Sequence, residues 1–136
     1  MATTKPQPVN PSQVKQFLAD ARKKAAAARK NLAIDEETAH QTAYEAMPKA
    51  SLALMLSHGQ RPRVQLGHHV AILDFARRHL APAHAPLLDL CDRMRRRRNI
   101  AFYDIAIISE VEAEVAVEAA DDYLKVVAAD IQSRIP

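Results

Sequence analysis

Apolar residues recur at helical spacing along almost the whole chain, and no stretch alternates with the period of two that marks a strand. The first series, Val14, Phe17, Leu18, Ala21, Ala25, Ala28 and Leu32, makes one narrow stripe of mostly small residues. Asn10 precedes it and Pro11 takes the first helical position, the usual start of a helix. Arg22, Lys23, Lys24, Arg29 and Lys30 fill the remaining surface and read as a solvated face. A second helix is expected from Asp35, where the carboxylates of Asp35, Glu36 and Glu37 meet free N–H groups and the helix dipole, to about His58 and its cap Gly59. Ala39, Ala43, Ala46 and Ala50 let a neighbour approach closely, while Met47, Leu52, Met55 and Leu56 supply bulk. Pro48 cannot donate to the carbonyl of Tyr44, so a kink or a break is expected inside this helix.

The third series, HHVAILDFARRHL, begins at His68 or His69 and places Val70, Leu73, Ala76 and Leu80 on one side, widened by Ile72 and Phe75. After the APAHAP connection a fourth helix is expected from Leu87 to about Ile108. Ser109 with Glu112 three residues on forms a capping box for a fifth, which carries Val111, Val115, Ala119, Leu124, Val126, Val127 and Ile131 and ends at Arg134. Five helices, mostly short connections and no internal repeat predict an all-α antiparallel bundle over residues 12–136. Residues 1–11, with three prolines and no periodicity, read as a flexible N-terminal arm. The segment GQRPRVQLG reads as a loop in which Arg61 and Arg63 flank Pro62, an exposed turn or a grip for phosphate.

At 136 residues the chain is the size of one domain, and the alanine-rich composition without tryptophan suits closely packed helices. The lone Cys91 excludes an intramolecular disulfide and suits a reducing compartment. No apolar run reaches the roughly 20 residues that span a bilayer, and the N-terminus lacks a signal-peptide core, so a soluble cytoplasmic protein without a membrane partner is expected. Net charge is +3, but it is segregated: +6 over residues 1–34, −3 over 35–58, +6 over 59–98 and −6 over 99–136. Such blocks either neutralise one another within the bundle or leave a basic surface for a polyanion.

The basic charge concentrates in DRMRRRRNIAFYD, Asp92 to Asp104. On a helix, Leu87, Leu90, Cys91, Met94, Ala101, Phe102 and Ile105 share one apolar arc, and Arg98 projects from its middle. A guanidinium on such a face needs a partner: a carboxylate of the acidic fifth helix, another subunit or a ligand phosphate. A second arc carries Asp92, Arg96, Asn99 and Tyr103; Asn99 is placed to orient Arg98 or bond a nucleotide, and Tyr103 is a hydrogen-bond donor at neutral pH and a poor base. Arg93, Arg97 and Asp104 fall on a different side and read as surface or ion-pairing charge. His68 and His69 are adjacent, about 100° apart on a helix, and lack HxxxH or HExxH spacing, so no metal and no cofactor is expected of them.

A helical bundle with Arg-Asn followed four residues later by a polar residue, together with YEAMPKASLALMLSHGQRPR and GHH upstream, resembles the HEPN domains (higher eukaryotes and prokaryotes nucleotide-binding), over roughly residues 34–104. The resemblance implies a homodimer whose paired motif helices line an RNA-binding cleft, and membership of a family rich in metal-independent ribonucleases of toxin–antitoxin or defence systems. Its motif, Arg-x(4–6)-His, maps onto Arg98 with Asn99 behind it; the histidine positions hold Tyr103, Asp104 and Ile105, and no histidine follows His84.

A HEPN-like module that binds RNA or nucleotide phosphates is therefore the favoured expectation, with Arg98, Asn99 and Tyr103 as the central group and Arg95, Arg96, Arg61, Arg63, His68 and His69 as further phosphate contacts. The alternatives are a metal-independent endoribonuclease in which Tyr103, His68 or His69 takes over proton transfer, and a non-catalytic interaction bundle for an acidic partner such as an antitoxin.

Overall fold

Five helices form where the apolar periodicity places them: α1 (Pro11–Asn31), α2 (Glu36–Ser57), α3 (His68–Leu80), α4 (Ala85–Tyr103) and α5 (Glu110–Gln132). This structure, a computed structural model, describes residues 4–63, 68–103 and 107–135, and of residues 68, 69 and 101–103 the helical backbone only. The start signals act as expected. The Asn10 side chain accepts the N–H groups of Ser12 and Gln13, Asp35 accepts that of Thr38, and Ser109 and Glu112 form a reciprocal capping box. Gly59 ends α2 with φ +75°, in the left-handed region where a side chain would be strained.

The other four helices all pack on α2. Ala39, Ala43, Ala46 and Ala50 of α2 are fully buried, as are Val14, Ala21 and Ala28 of α1, so two small-residue stripes bring these helices close. Lys49 pairs with Asp20 at 2.8 Å and Lys24 with Glu45 at 4.0 Å; numbers fall along α1 as they rise along α2, so the two run antiparallel. Ser51 meets Tyr123, and Ser57 meets Arg134, so α2 and α5 run in the same direction. Basic α1 and acidic α5 are tied by Arg29 and Asp121. Part of the segregated charge is thus paired between neighbouring helices.

Several expectations are corrected. Of the kink or break expected at Pro48, the break does not occur: α2 continues to Ser57 with the proline buried inside it. The helix expected to start near Leu87 starts at Ala85 and does not reach Ile108. Ile107 to Ser109 are non-helical, the Ile107 carbonyl accepts from Arg97 at 3.0 Å, and Ile108 packs in the core. Val111 and Val115, read as core positions of α5, are 67% and 47% exposed. Ala119, Leu124, Val127 and Ile131 are buried as expected, and Ala113, Ala116, Val117, Ala120 and Tyr123 complete the buried side of α5. Val70 of α3 is exposed, while Ile72, Phe75 and Ala76 are buried.

The N-terminal arm carries structure of its own. Thr4–Pro6 (β1) pairs antiparallel with Gln60–Pro62 (β2), placing Lys5 opposite Arg61, and the Gln7 N–H donates to the Gly59 carbonyl at 2.9 Å. The pairing has no periodicity to announce it, because its strands are three residues each.

The deepest polar contact joins α2 to α5. The Tyr123 hydroxyl lies 2.5 Å from Ser51 Oγ, which itself donates to the Met47 carbonyl at 2.8 Å, all fully buried. Ser51→Ala orphans the tyrosine hydroxyl and is expected to destabilise the fold by about 1–3 kcal/mol. Tyr123→Phe in the same background removes the orphaned group and is expected to recover part of that loss in urea unfolding; a double variant less stable than Ser51→Ala would contradict the assignment.

Candidate anion-binding cleft

Leu88, Cys91 and Met94 are nearly fully buried and seat α4 on the core. Four residues past Met94, the same face presents Arg98 at the bundle surface, half-buried. Its guanidinium carbon stands 5.3 Å from the centroid of the Tyr44 ring, a cation–π contact. Tyr44 is 1% exposed, and burial pushes its hydroxyl up to about 12, more than the nearby Arg98 and Arg95 draw it down. That hydroxyl is a donor at neutral pH, not a base.

Arg98 forms one wall of a cleft of about 460 Å³, within the range of small-molecule sites. Tyr44, Pro48, Leu52 and Ile72 line it together with Phe17 of α1, and the polar wall is Lys24, Glu45 and Lys49. The cleft therefore opens beside the proline turn of α2, where α1, α3 and α4 also reach. Three cations face it against one carboxylate, Glu45, which Lys24 partly offsets. Lys49 is held by Asp20, whose carboxyl its hydrogen bond keeps below the usual range. Both ion pairs are more than a third exposed on at least one partner and are worth about 0–1 kcal/mol each, so an anionic ligand can take over either lysine at small cost.

The remaining arginines of the run diverge. Arg95 and Arg96 both bond Asp92, Arg95 at 3.0 Å, and hold that carboxyl below its ordinary range. Arg97 reaches α5, donating to Glu112 at 2.6 and 3.1 Å; the pairing expected between the basic run and the acidic helix is made by Arg97, not by Arg98. Among the described residues no carboxylate lies within ion-pair distance of Arg98. Asn99 is exposed, and Arg61 and Arg63 are exposed on the β2 side, away from the cleft lining. The side chains of Tyr103, His68, His69 and Asp104 lie outside the described residues. Sequence reasoning missed Tyr44, Lys24 and Lys49. The available signal was Pro48, since Tyr44 and Lys49 are the residues at its i−4 and i+1 positions.

Among the described residues no group of three or more His, Cys, Asp or Glu side chains is placed to hold a metal ion. Cys91 is 2% exposed and burial pushes its thiol up to about 12, which makes it unreactive packing.

A second polar cluster closes the other end of α2. Arg134 donates to Asp130 at 3.1 Å and to Ser57 Oγ at 2.7 Å. His58 Nε2 stands 3.5 Å from Asp130 Oδ2, within ion-pair range but long for a hydrogen bond, and Arg134 Nη2 lies 2.8 Å from the same oxygen. Burial works against the Asp130 charge, but Arg134 and His58 outweigh it and the carboxyl sits below its ordinary value.

No protein-family model, curated protein or solved structure matches the chain.

Burial, then the charges of Arg134 and His79, pulls the His58 pKa below its ordinary value; burial first, with Arg78 and Arg134, does the same to His79, and burial to His40. A depressed folded-state value means that the folded protein binds fewer protons than the unfolded chain. Stability is therefore full above the unfolded value of about 6.5 and falls as pH drops from there through the lower folded values. The urea midpoint is expected to be lower at about pH 5.5 than at about pH 7.5, and His58→Gln to reduce the difference. A midpoint that is constant or rises on acidification would contradict this.

Proposed function

We propose that this chain binds RNA or nucleotide phosphates in the Arg98 cleft, as a HEPN-like binding module rather than a working ribonuclease. The observation that carries the reading is Arg98 itself: a guanidinium held over a buried aromatic ring, at the mouth of a cleft that two lysines share. The contact with the Tyr44 ring does not consume the guanidinium's N–H donors, a fork suited to phosphate oxygens. Lys24 and Lys49 add charge at flexible reach. Phe17, Leu52 and Ile72 give the cleft an apolar side that accepts a base or sugar. Lys24, Lys49, Arg98 and Tyr44 all offer hydrogen-bond donors, which serves anion binding, and Glu45 is the one carboxylate among the described lining groups. Homodimerisation and a place in a toxin–antitoxin or defence system belong to the same reading and rest on the resemblance of the Arg98-Asn99 stretch.

Fluorescence anisotropy with a labelled single-stranded RNA of about ten nucleotides tests it, across about 50–200 mM salt. Affinity is expected to fall as salt rises, and Arg98→Ala, checked for an unchanged melting temperature, to weaken binding about ten- to a hundredfold, the value of a hydrogen bond to a charged group. Arg98→Lys should restore part of it. Binding that is indifferent to both salt and Arg98→Ala would overturn the proposal.

A further inference from the structure

The C-terminal turns of α3 hold a second aromatic and basic group, remote in sequence from the arginine run. Phe75, Arg78 and His79 are spaced i, i+3 and i+4, so one face carries all three. Phe75 is 5% exposed and forms the fixed base of a stack: His79 lies on it with ring centroids 4.1 Å apart and planes 29° apart. His58, from the end of α2, lies 4.3 Å from His79 and meets Phe75 edge-on at 5.5 Å. His79 is the exposed member. These rings and Arg78 line a pocket of about 390 Å³ whose other wall is Thr4 of β1 and Gln60 of β2.

From this arrangement we infer a second ligand site, a nucleotide pocket in which a base stacks on His79, Gln60 and Thr4 meet its polar edge, and Arg78 takes the phosphate. It rests on the reading of the chain as a nucleotide- or RNA-binding protein and extends the ligand's contacts beyond the Arg98 cleft. Aromatic faces beside a cation are how nucleic-acid proteins hold unpaired bases without reading sequence. The adjoining ribbon supplies an independent sign of an anionic partner. Lys5 and Arg61 stand directly opposite one another in the β1–β2 ladder, an arrangement of like charges that costs stability on its own and that a nearby polyanion relieves. Period-two alternation puts Thr4 and Gln60 on one face of the ribbon and the basic pair on the other. The carboxylate nearest the stack, Asp130, is engaged by Arg134 and His58 and does not line the pocket.

Catalysis and metal binding fit this cluster less well. Two imidazoles in contact leave no room for a phosphate between an acid and a base on opposite sides. The carboxylate that would complete a metal site is tied to Arg134.

Histidine-ring NMR of the intact protein tests the site, with His58 and His79 assigned from His58→Gln and His79→Gln spectra and two probes, adenosine monophosphate and a short single-stranded RNA. The His79 resonance is expected to shift saturably with either probe. Arg78→Ala should weaken that response about tenfold, and His79→Ala should weaken binding of labelled RNA, read by anisotropy, about tenfold, the scale of one lost base stack. His79→Phe, which keeps the stack, should restore the affinity, read by anisotropy of labelled RNA. A shift with the mononucleotide identifies a free-nucleotide site, and a shift with RNA alone identifies a subsite along an RNA path; each supports the proposal. RNA that binds in the Arg98 cleft while His79 stays unmoved overturns this site and leaves the cleft standing. If neither probe binds anywhere, both readings fail.

Discussion

The contact on which the site depends is a cation resting on a buried aromatic face. Arg98 projects from a side of α4 whose preceding turns, at Cys91 and Met94, are packed into the core. Continuing that face inward would strip the guanidinium of water with nothing to replace it. Tyr44 resolves the conflict by offering the face of its ring. The cleft opens where Arg98 meets Tyr44, beside Pro48.

Around that point the bundle sorts its charges. Arg29 with Asp121, Arg97 with Glu112, Lys49 with Asp20 and Arg134 with Asp130 each join two helices or brace a helix end. Such exposed pairs add little stability singly, but they engage part of the basic surface that the charge blocks suggest. The face available to an anion is consequently narrower than four consecutive arginines imply: Arg95 and Arg96 share Asp92, Arg97 belongs to α5, and Arg98 alone of the four faces the cleft.

Helix number and starts were legible because they are local properties. Asn10, Asp35 and Ser109 each cap the adjoining helix regardless of tertiary context, and the alanine stripes of α1 and α2 announce close packing at any register. Where two faces of a helix were both apolar, periodicity could not choose between them: Val111 and Val115 compete with Ala113, Ala116 and Val117, and the structure buries the alanines with Tyr123. Strands of three residues carry too little pattern to be seen. Arg98 was legible because a charge on an apolar arc is an anomaly within one helix. Its partners were not, since Lys24 on α1 reads as ordinary solvated charge, and only the antiparallel pairing of α1 with α2 brings it beside Glu45 and Lys49.

Photo-crosslinking with single-stranded RNA containing 4-thiouridine, with mass-spectrometric mapping of the adducts, asks most directly where the ligand sits. The account predicts adducts on the peptides that contain Phe17 and Tyr44, lost when excess unlabelled RNA is added. Adducts confined to the exposed arginines Arg93 and Arg96, with none at Phe17 or Tyr44, would contradict it.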